Sequence, residues 1–169
     1  HDQSNYLANK QMRFHSALNL SRDTSQLQEK VLPLDFSTIN AYVARTSQSI
    51  RIDDVYKLHD SNLVWGGREF DEQQFYKTRS MLAVPMCNER GEDLGVIQLI
   101  NCKIDGDAVL NTEEDVDQIV VPFRDYHMRL MESLASQATI AVRNASLLES
   151  IQILFDGFIN ASVKAIESR

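Results

Sequence analysis

Cysteine is scarce in this sequence: Cys87 and Cys102 are the only two. Two are too few for a disulfide framework or a structural zinc site, and such sparse use fits a reducing compartment, with the cytoplasm as the expected setting. Positive charge is also in deficit, since 17 Lys and Arg face 24 Asp and Glu, giving a formal charge of -7 and a pI near 5.0. A surface of that sign repels a phosphate backbone, which argues against nucleic acid as a partner. Long apolar runs are missing. Stretches such as Leu94 to Ile100 and Met81 to Met86 fall far short of the roughly 18 residues a membrane-spanning helix needs, so no membrane association of this segment is expected. The first residue is His1, and no charged-then-apolar leader follows it, so the sequence reads as a segment with something upstream.

Catalytic and ligating sets are likewise absent. His1, His15, His59 and His127 are scattered, with no pair at metal-ligand spacing and no cysteine beside any of them. His59-Asp60 is a single dipeptide of a kind that arises by chance. Gly66-Gly67 lacks the third glycine and the following Lys-Ser or Lys-Thr of a phosphate loop. The acidic stretch Asp105 to Asp117 lacks the oxygen spacing and glycine of a calcium loop and reads as a solvated surface loop. No acid, base and nucleophile can be assembled from these residues, so the segment is not expected to be an enzyme, and no cofactor is implied.

What is present suits one folded domain. The 169 residues, with 43% hydrophobic and 24% charged, have ordinary globular proportions and can bury a sizeable core. Gln11 to Asn19 alternates with the period of a half-buried strand, and Lys30 to Leu34 reads as a short strand interrupted by Pro33. Ser37 is placed to cap a helix over Thr38 to Thr46, with Ile39, Tyr42 and Val43 on one face. Ser47 to Thr78 has no sustained periodicity and reads as irregular structure with one helical turn near Asp71 to Phe75. Long aromatic-rich loops within a compact domain are often functional. Arg79 to Cys87 and Asp93 to Lys103 form a predicted hairpin that turns through Gly91, with Cys87 facing Asp93 and Cys102 facing Thr78.

From about Tyr126 to Ser168 there is no proline and a single glycine, Gly157, so a helix of some forty residues is expected. Its second half carries Leu147, Ile151, Leu154 and Phe158, then Ala161 and Ala165, at alternating steps of four and three, which is the spacing of a coiled-coil seam. Asn144 extends the seam and would fix register in a two-stranded pair. A homodimer through this helix is the expectation; packing on its own domain is the alternative.

The order of these elements resembles the GAF domain family. The helix Ile39 to Thr46 with its exit Ser49 to Tyr56 is similar to that family's helix, short strand and acidic turn. Arg79 to Met86 with Gly95 to Asn101 resembles its central strand pair, and Leu134 to Ala138 with Ile140 to Ala145 resembles its closing helix. The likeness spans roughly residues 11 to 148 and implies an α+β fold: a central antiparallel β-sheet flanked by helices, with the helices on one face and a small-ligand pocket between the other face and the irregular segment, and a long C-terminal helix. The family's opening helix and first strand find no counterpart. Residues 1–148 are then a sensory domain and 149–169 a signalling helix. The last stretch, Phe155 to Arg169, resembles the lead-in to an HD-GYP domain, the metal-dependent class that hydrolyses cyclic di-GMP, so the implied output is a cyclic di-GMP phosphodiesterase downstream.

Within that resemblance the candidate ligand-binding residues are His15, Tyr42, Trp65, Phe75, Arg79 and Gln98, because aromatic walls with a few polar groups suit a buried small molecule. The ligand itself is unknown. Relatives that reduce methionine sulfoxide need two cysteines within reach, whereas Cys87 and Cys102 stand about 30 Å apart in the predicted ladder at about 3.3 Å per residue. Pigment-attaching relatives place a cysteine next to a histidine, which neither cysteine has. Cyclic-nucleotide-binding relatives carry an Asn-Lys, Phe, Asp-Glu set; Asn101 and Phe123 match it, Lys103 comes one place late, and the acidic places fall on Tyr126, His127 or Met128. Neither cAMP nor cGMP is therefore assigned. A structural dimerisation module with no ligand is the competing reading.

Overall fold

The computed structural model describes residues 11–13, 15–19, 21, 24, 31–33, 38–58, 63, 65–73, 76–88 and 93–167. Two short strands, β1 (Gln11–Arg13) and β2 (Val31–Pro33), precede the helix α1 (Ile39–Thr46) and the strand β3 (Ile50–Ile52). A 3-10 turn at Val55–Lys57 and the helix α2 (Arg68–Gln73) lead into β4 (Met81–Cys87) and β5 (Asp93–Ile100). The chain continues through β6 (Cys102–Lys103), α3 (Glu113–Ile119) and β7 (Val120–Val121) to α4 (Asp125–Glu167).

The centre is an antiparallel sheet in the order β3-β4-β5. β4 is its middle strand, and Met81, Leu82, Ala83 and Val84 are all buried. A strand covered on both faces needs apolar residues on both, which is why this stretch reads as a continuous apolar run rather than an alternation. Met81 and Ala83 meet Ile39 and Val43 of α1, together with Ile52 and Val55. Leu82 and Val84 point the other way, toward Phe123 and Ala135, with Met128 and Met131 packed alongside. A Leu, Val, Ile, Phe or Met side chain, fully buried, contributes about 1.5–3 kcal/mol. The result is the expected antiparallel sheet flanked by helices, but in three layers, α1 on one face and α4 on the other, where the resemblance implied helices on one face alone.

The hairpin forms with Cys87 opposite Asp93 and Met81 opposite Ile100. It ends earlier than expected. Asn101 takes a left-handed conformation, φ 56°, so the chain leaves the sheet there and Cys102 pairs with Val121 of β7 rather than facing Thr78. The two cysteines still lie at opposite ends of the ladder. Burial pushes the half-buried Cys102 thiol up, away from the thiolate form.

The structure departs from the local sequence signals at four further places. The first strand stops at Arg13, and residues 15–19 are irregular. Thr38 caps α1, its hydroxyl accepting the Ala41 amide at 3.2 Å, whereas Ser37 lies outside the described residues. The segment expected to be irregular contains β3 and the 3-10 turn, and its one helical turn, expected near Asp71 to Phe75, is the earlier and longer α2 at Arg68–Gln73. The acidic loop contains α3, because Thr112 and Asp115 form a reciprocal capping box: the Thr112 hydroxyl accepts the Asp115 amide, and the Asp115 carboxylate accepts the Thr112 amide. The amides of Thr112 and Asn111, both donating to it, hold the Asp115 carboxyl below its usual range.

α4 runs for 43 residues, matching the expected helix. Ala135 and Thr139 are its only buried positions among the described residues. Beyond Thr139 the helix leaves the sheet, and Leu147 is 61% exposed, Ile151 53%, Leu154 73% and Phe158 70%. The alternative of a helix packed on its own domain thus fails for the second half of α4.

Candidate functional site

The face of the sheet opposite α4 is where the predicted site residues can be tested. Tyr42 and Trp65 are half-buried there, both packed on the cluster of Ile39, Val43, Ile52, Val55, Met81 and Ala83. Tyr42 follows from the helical period of α1, which also turns Ile39 and Val43 inward. Trp65 is set by the turn Gly66-Gly67. A Cβ at Gly67 would lie 2.3 Å from the indole ring, and one at Gly66 would lie 3.2 Å from the Thr38 methyl. The glycines let the backbone pass close to the ring and to the start of α1.

Gln98 also faces this layer, because Ala83, its partner across the ladder, does. Its side-chain oxygen accepts from Asn40 Nδ2 at 2.5 Å. Asn40 Oδ1 is buried with no hydrogen-bond partner, and so is Trp65 Nε1. Leaving such atoms unpaired costs about 1–3 kcal/mol each. Asn40 was not singled out from the sequence, yet a polar residue next to buried Ile39 and Ala41 in α1 was a usable signal.

The other three candidates stand apart. His15 is exposed in the irregular stretch after β1. Phe75 lies outside the described residues. Arg79 is engaged at another surface: its guanidinium donates to the carbonyls of Asp117 at 3.2 Å and Val120 at 3.4 Å, at the C-terminal end of α3. There a cation complements the helix dipole. Of the six, Tyr42, Trp65 and Gln98 share one face of the sheet.

A second polar cluster lies beneath α2. Asp71 is 3% exposed; its carboxylate accepts from the Tyr56 hydroxyl at 2.8 Å, the Thr78 amide at 2.9 Å and the Thr78 hydroxyl at 2.9 Å. Burial raises the Asp71 carboxyl above its ordinary value, opposed by those hydrogen bonds. Burial, and then the bond to Asp71, push Tyr56 up to about 12. Trp65 Nε1 stands close enough to bias both groups, though outside hydrogen-bonding geometry with either. The Arg68 guanidinium sits 5.2 Å from the Tyr56 ring centroid. No sequence signal marked Asp71, because a carboxylate within a helix usually faces water.

Asn101 ties this region to the sheet. Its side chain accepts the Arg79 amide at 2.7 Å and donates to the Tyr76 hydroxyl and the Lys77 carbonyl, both at 2.9 Å. Lys77 in turn reaches Asp117 of α3 at 3.1 Å. Among the described residues no three His, Cys, Asp or Glu side chains are grouped to hold a metal, and no helix is long and apolar enough to cross a membrane.

This architecture has a counterpart among known proteins, since the profile of the GAF domain matches residues 12–142. The chain belongs to the GAF domain family. This GAF domain is a regulatory, sensory module, and the segment is non-enzymatic. Relatives are whole enzymes. The dual 3',5'-cyclic-AMP and -GMP phosphodiesterase 11A of Takifugu rubripes is 31% identical over 70% of this chain and 12% of its own length. The cGMP-specific 3',5'-cyclic phosphodiesterase of Drosophila erecta is 31% identical over 79% of this chain and 10% of its own length. The chain thus spans about a tenth of the curated relatives it matches. A crystal structure of a GAF domain region from Geobacter sulfurreducens PCA covers 68% of this chain and 62% of its own, at 15% identity and a TM-score of 0.45. That likeness is too loose to add to the assignment.

Proposed function

We propose that this GAF domain senses a small ligand on the α1 face and, through α4, controls an output domain downstream. Residues 1–148 form the sensor in this reading, and 149–169 the signalling helix. The observation that carries it is the pair of buried, unpaired polar atoms on one side of the sheet, Asn40 Oδ1 and Trp65 Nε1. An interior that leaves such atoms unpaired is stabilised by a molecule that pairs with them. The output is of phosphodiesterase type. The curated relatives are phosphodiesterases, and the resemblance of Phe155 to Arg169 to an HD-GYP lead-in favours a cyclic di-GMP phosphodiesterase in a cytoplasmic protein. The relatives' names describe what whole enzymes hydrolyse, so cAMP, cGMP and cyclic di-GMP are ligands to test.

Trp65 is the single tryptophan, so its fluorescence reports directly on the site. Titration with each cyclic nucleotide and with a metabolite panel, alongside thermal shift, should give a saturable fluorescence change and a raised Tm for one compound. Asn40→Ala should abolish that response. Silence across the panel would favour the second reading, a dimerisation module with no ligand, which has its own support: Tyr42 and Trp65 pack into the core, and Arg79 is committed to α3.

A further inference from the structure

We infer that Asp71 is a positioning residue for the Trp65 indole: the ionised carboxylate takes the indole N–H on Oδ1 and draws the ring from the α1 face toward α2. This rests on the sensor reading, in which a ligand pairs with that same N–H, and gives the ligand a competitor inside the protein.

The argument begins with a count of donors and lone pairs. A carboxylate offers about four acceptor positions, two on each oxygen. Asp71 Oδ2 receives the Tyr56 hydroxyl at 2.8 Å and the Thr78 amide at 2.9 Å. Among the described residues Oδ1 receives the Thr78 hydroxyl alone, at 2.9 Å. One position on Oδ1 is left over. Trp65 Nε1 donates and cannot accept; it is buried without a hydrogen-bond partner, and it stands close enough to bias both Asp71 and Tyr56. An orphan donor and a spare acceptor thus share one cluster, and pairing them removes the cost of the unpaired N–H. Two residues, both glycine, link Trp65 to α2, so the connecting backbone carries no side chain that must repack when the ring shifts.

Ionisation decides between the two positions of the ring. A proton on Oδ1 fills the place the indole needs and turns it into a donor, so the neutral acid leaves Trp65 on the α1 face. The indole N–H in turn favours the ionised carboxylate. Burial raises the Asp71 carboxyl above its ordinary value, so the ring should move as pH climbs through that raised value. The groups facing the cluster are Tyr56, pushed up to about 12 and therefore a donor throughout, and Arg68 over its ring. Asp54 is ion-paired with Lys57 at 3.3 Å on the 3-10 turn, Tyr42 of α1 packs on the same apolar cluster as Trp65, and Lys77 is ion-paired with Asp117 of α3 at 3.1 Å.

Asp71→Asn separates this role from the anchoring of α2. The Thr78 amide needs the side-chain oxygen at the Oδ2 place, where Tyr56 fills its second lone pair. The NH₂ group then donates to the Thr78 hydroxyl and meets the indole donor to donor. α2 stays anchored, and Trp65 loses its second acceptor.

The single tryptophan gives one indole N–H signal by NMR and one emission band. Between about pH 4 and about pH 8, on either side of a raised carboxyl, the ligand-free wild type should show both moving in one titration, with the N–H signal shifted downfield at the upper end. Asp71→Asn should remain folded by circular dichroism and show neither change, while Asn40→Ala should keep both. In the thermal-shift assay with cAMP, cGMP and cyclic di-GMP, the Tm rise of the nucleotide that binds should be smaller at the upper end in wild type. In Asp71→Asn it should be equal at both ends. A flat wild-type titration, or the same titration in Asp71→Asn, would overturn the positioning role and leave the sensor reading standing. A Tm rise in wild type that ignores pH would overturn the competition. Silence of every compound with the indole titration intact would remove the sensor reading and leave the two positions of Trp65.

Discussion

Asp71 combines burial with three hydrogen bonds, and the two pull its ionisation in opposite directions. In the folded chain its carboxyl binds a proton at pH values where the unfolded chain, near the ordinary 3.8, has already lost it. Stability from this group is therefore present at low pH and declines as pH climbs from 3.8 through the raised folded value. Asp71→Asn should lack that slope. Its amide oxygen can accept from Tyr56 and the Thr78 amide, and its NH₂ can donate to the Thr78 hydroxyl, so at neutral pH it should stay within about 1 kcal/mol of wild type. Asp71→Ala strands those donors and should cost roughly 2–4 kcal/mol. Urea denaturation at several pH values checks both; equal losses for the two variants would show that the charge itself holds α2. Gly67 acts by absence of a side chain. Gly67→Ala drives a methyl to 2.3 Å from the indole of Trp65 and should cost about 1–3 kcal/mol with a shift in tryptophan emission. Gly106→Ala meets nothing within 4 Å and serves as the control.

At the scale of elements, the break between β5 and β6 rests on Asn101, which combines a left-handed backbone with hydrogen bonds to three residues. The contributions separate by substitution. Asn101→Gly keeps the backbone conformation at no steric cost and loses the side-chain bonds, whereas Asn101→Ala loses both. Alanine should be the worse by about 1 kcal/mol, and thermal melts that rank the two equally would remove the backbone from the account. The same residue shows what the sequence conceals. The hairpin was readable because Met81 to Val84 and Val96 to Ile100 are long, β-rich and bounded by a turn, and α4 because nothing in it breaks a helix. The exit at Asn101 was not readable, since its cause is a set of partners more than twenty residues away. β3 is legible only through the family likeness, and α2 only as a helical turn near Asp71 to Phe75: three and six residues are too short for a period to register, and their stability comes from Met81, Ala83 and Thr78 rather than from within. The site divides likewise. Tyr42, Trp65 and Gln98 are legible as aromatic and polar residues suited to a pocket wall, whereas the task of Arg79 depends on α3, whose acidic sequence reads as a surface loop.

The whole molecule has two parts with different demands on a partner. Every buried side chain of α4 lies at or before Thr139, so the domain's core is complete without the distal helix, while the distal helix carries exposed leucine, isoleucine and phenylalanine along its length. Exposed apolar surface on that scale drives association. If two copies pair through it, stability becomes linked to protein concentration, because a partner that binds the folded chain raises its Tm by mass action. Leu147→Asp with Leu154→Asp places like charges across the seam and should leave a monomer whose sedimentation coefficient falls and whose Tm no longer rises with concentration. The fluorescence of Trp65, on the far face of the sheet, should not change. The two readouts divide the possibilities: a lost concentration dependence with an unchanged tryptophan assigns the seam to assembly alone, whereas an altered tryptophan would mean that α4 and the α1 face are coupled through the sheet even without ligand. Unchanged sedimentation would remove the seam, and with it the route by which the sensor reaches an output.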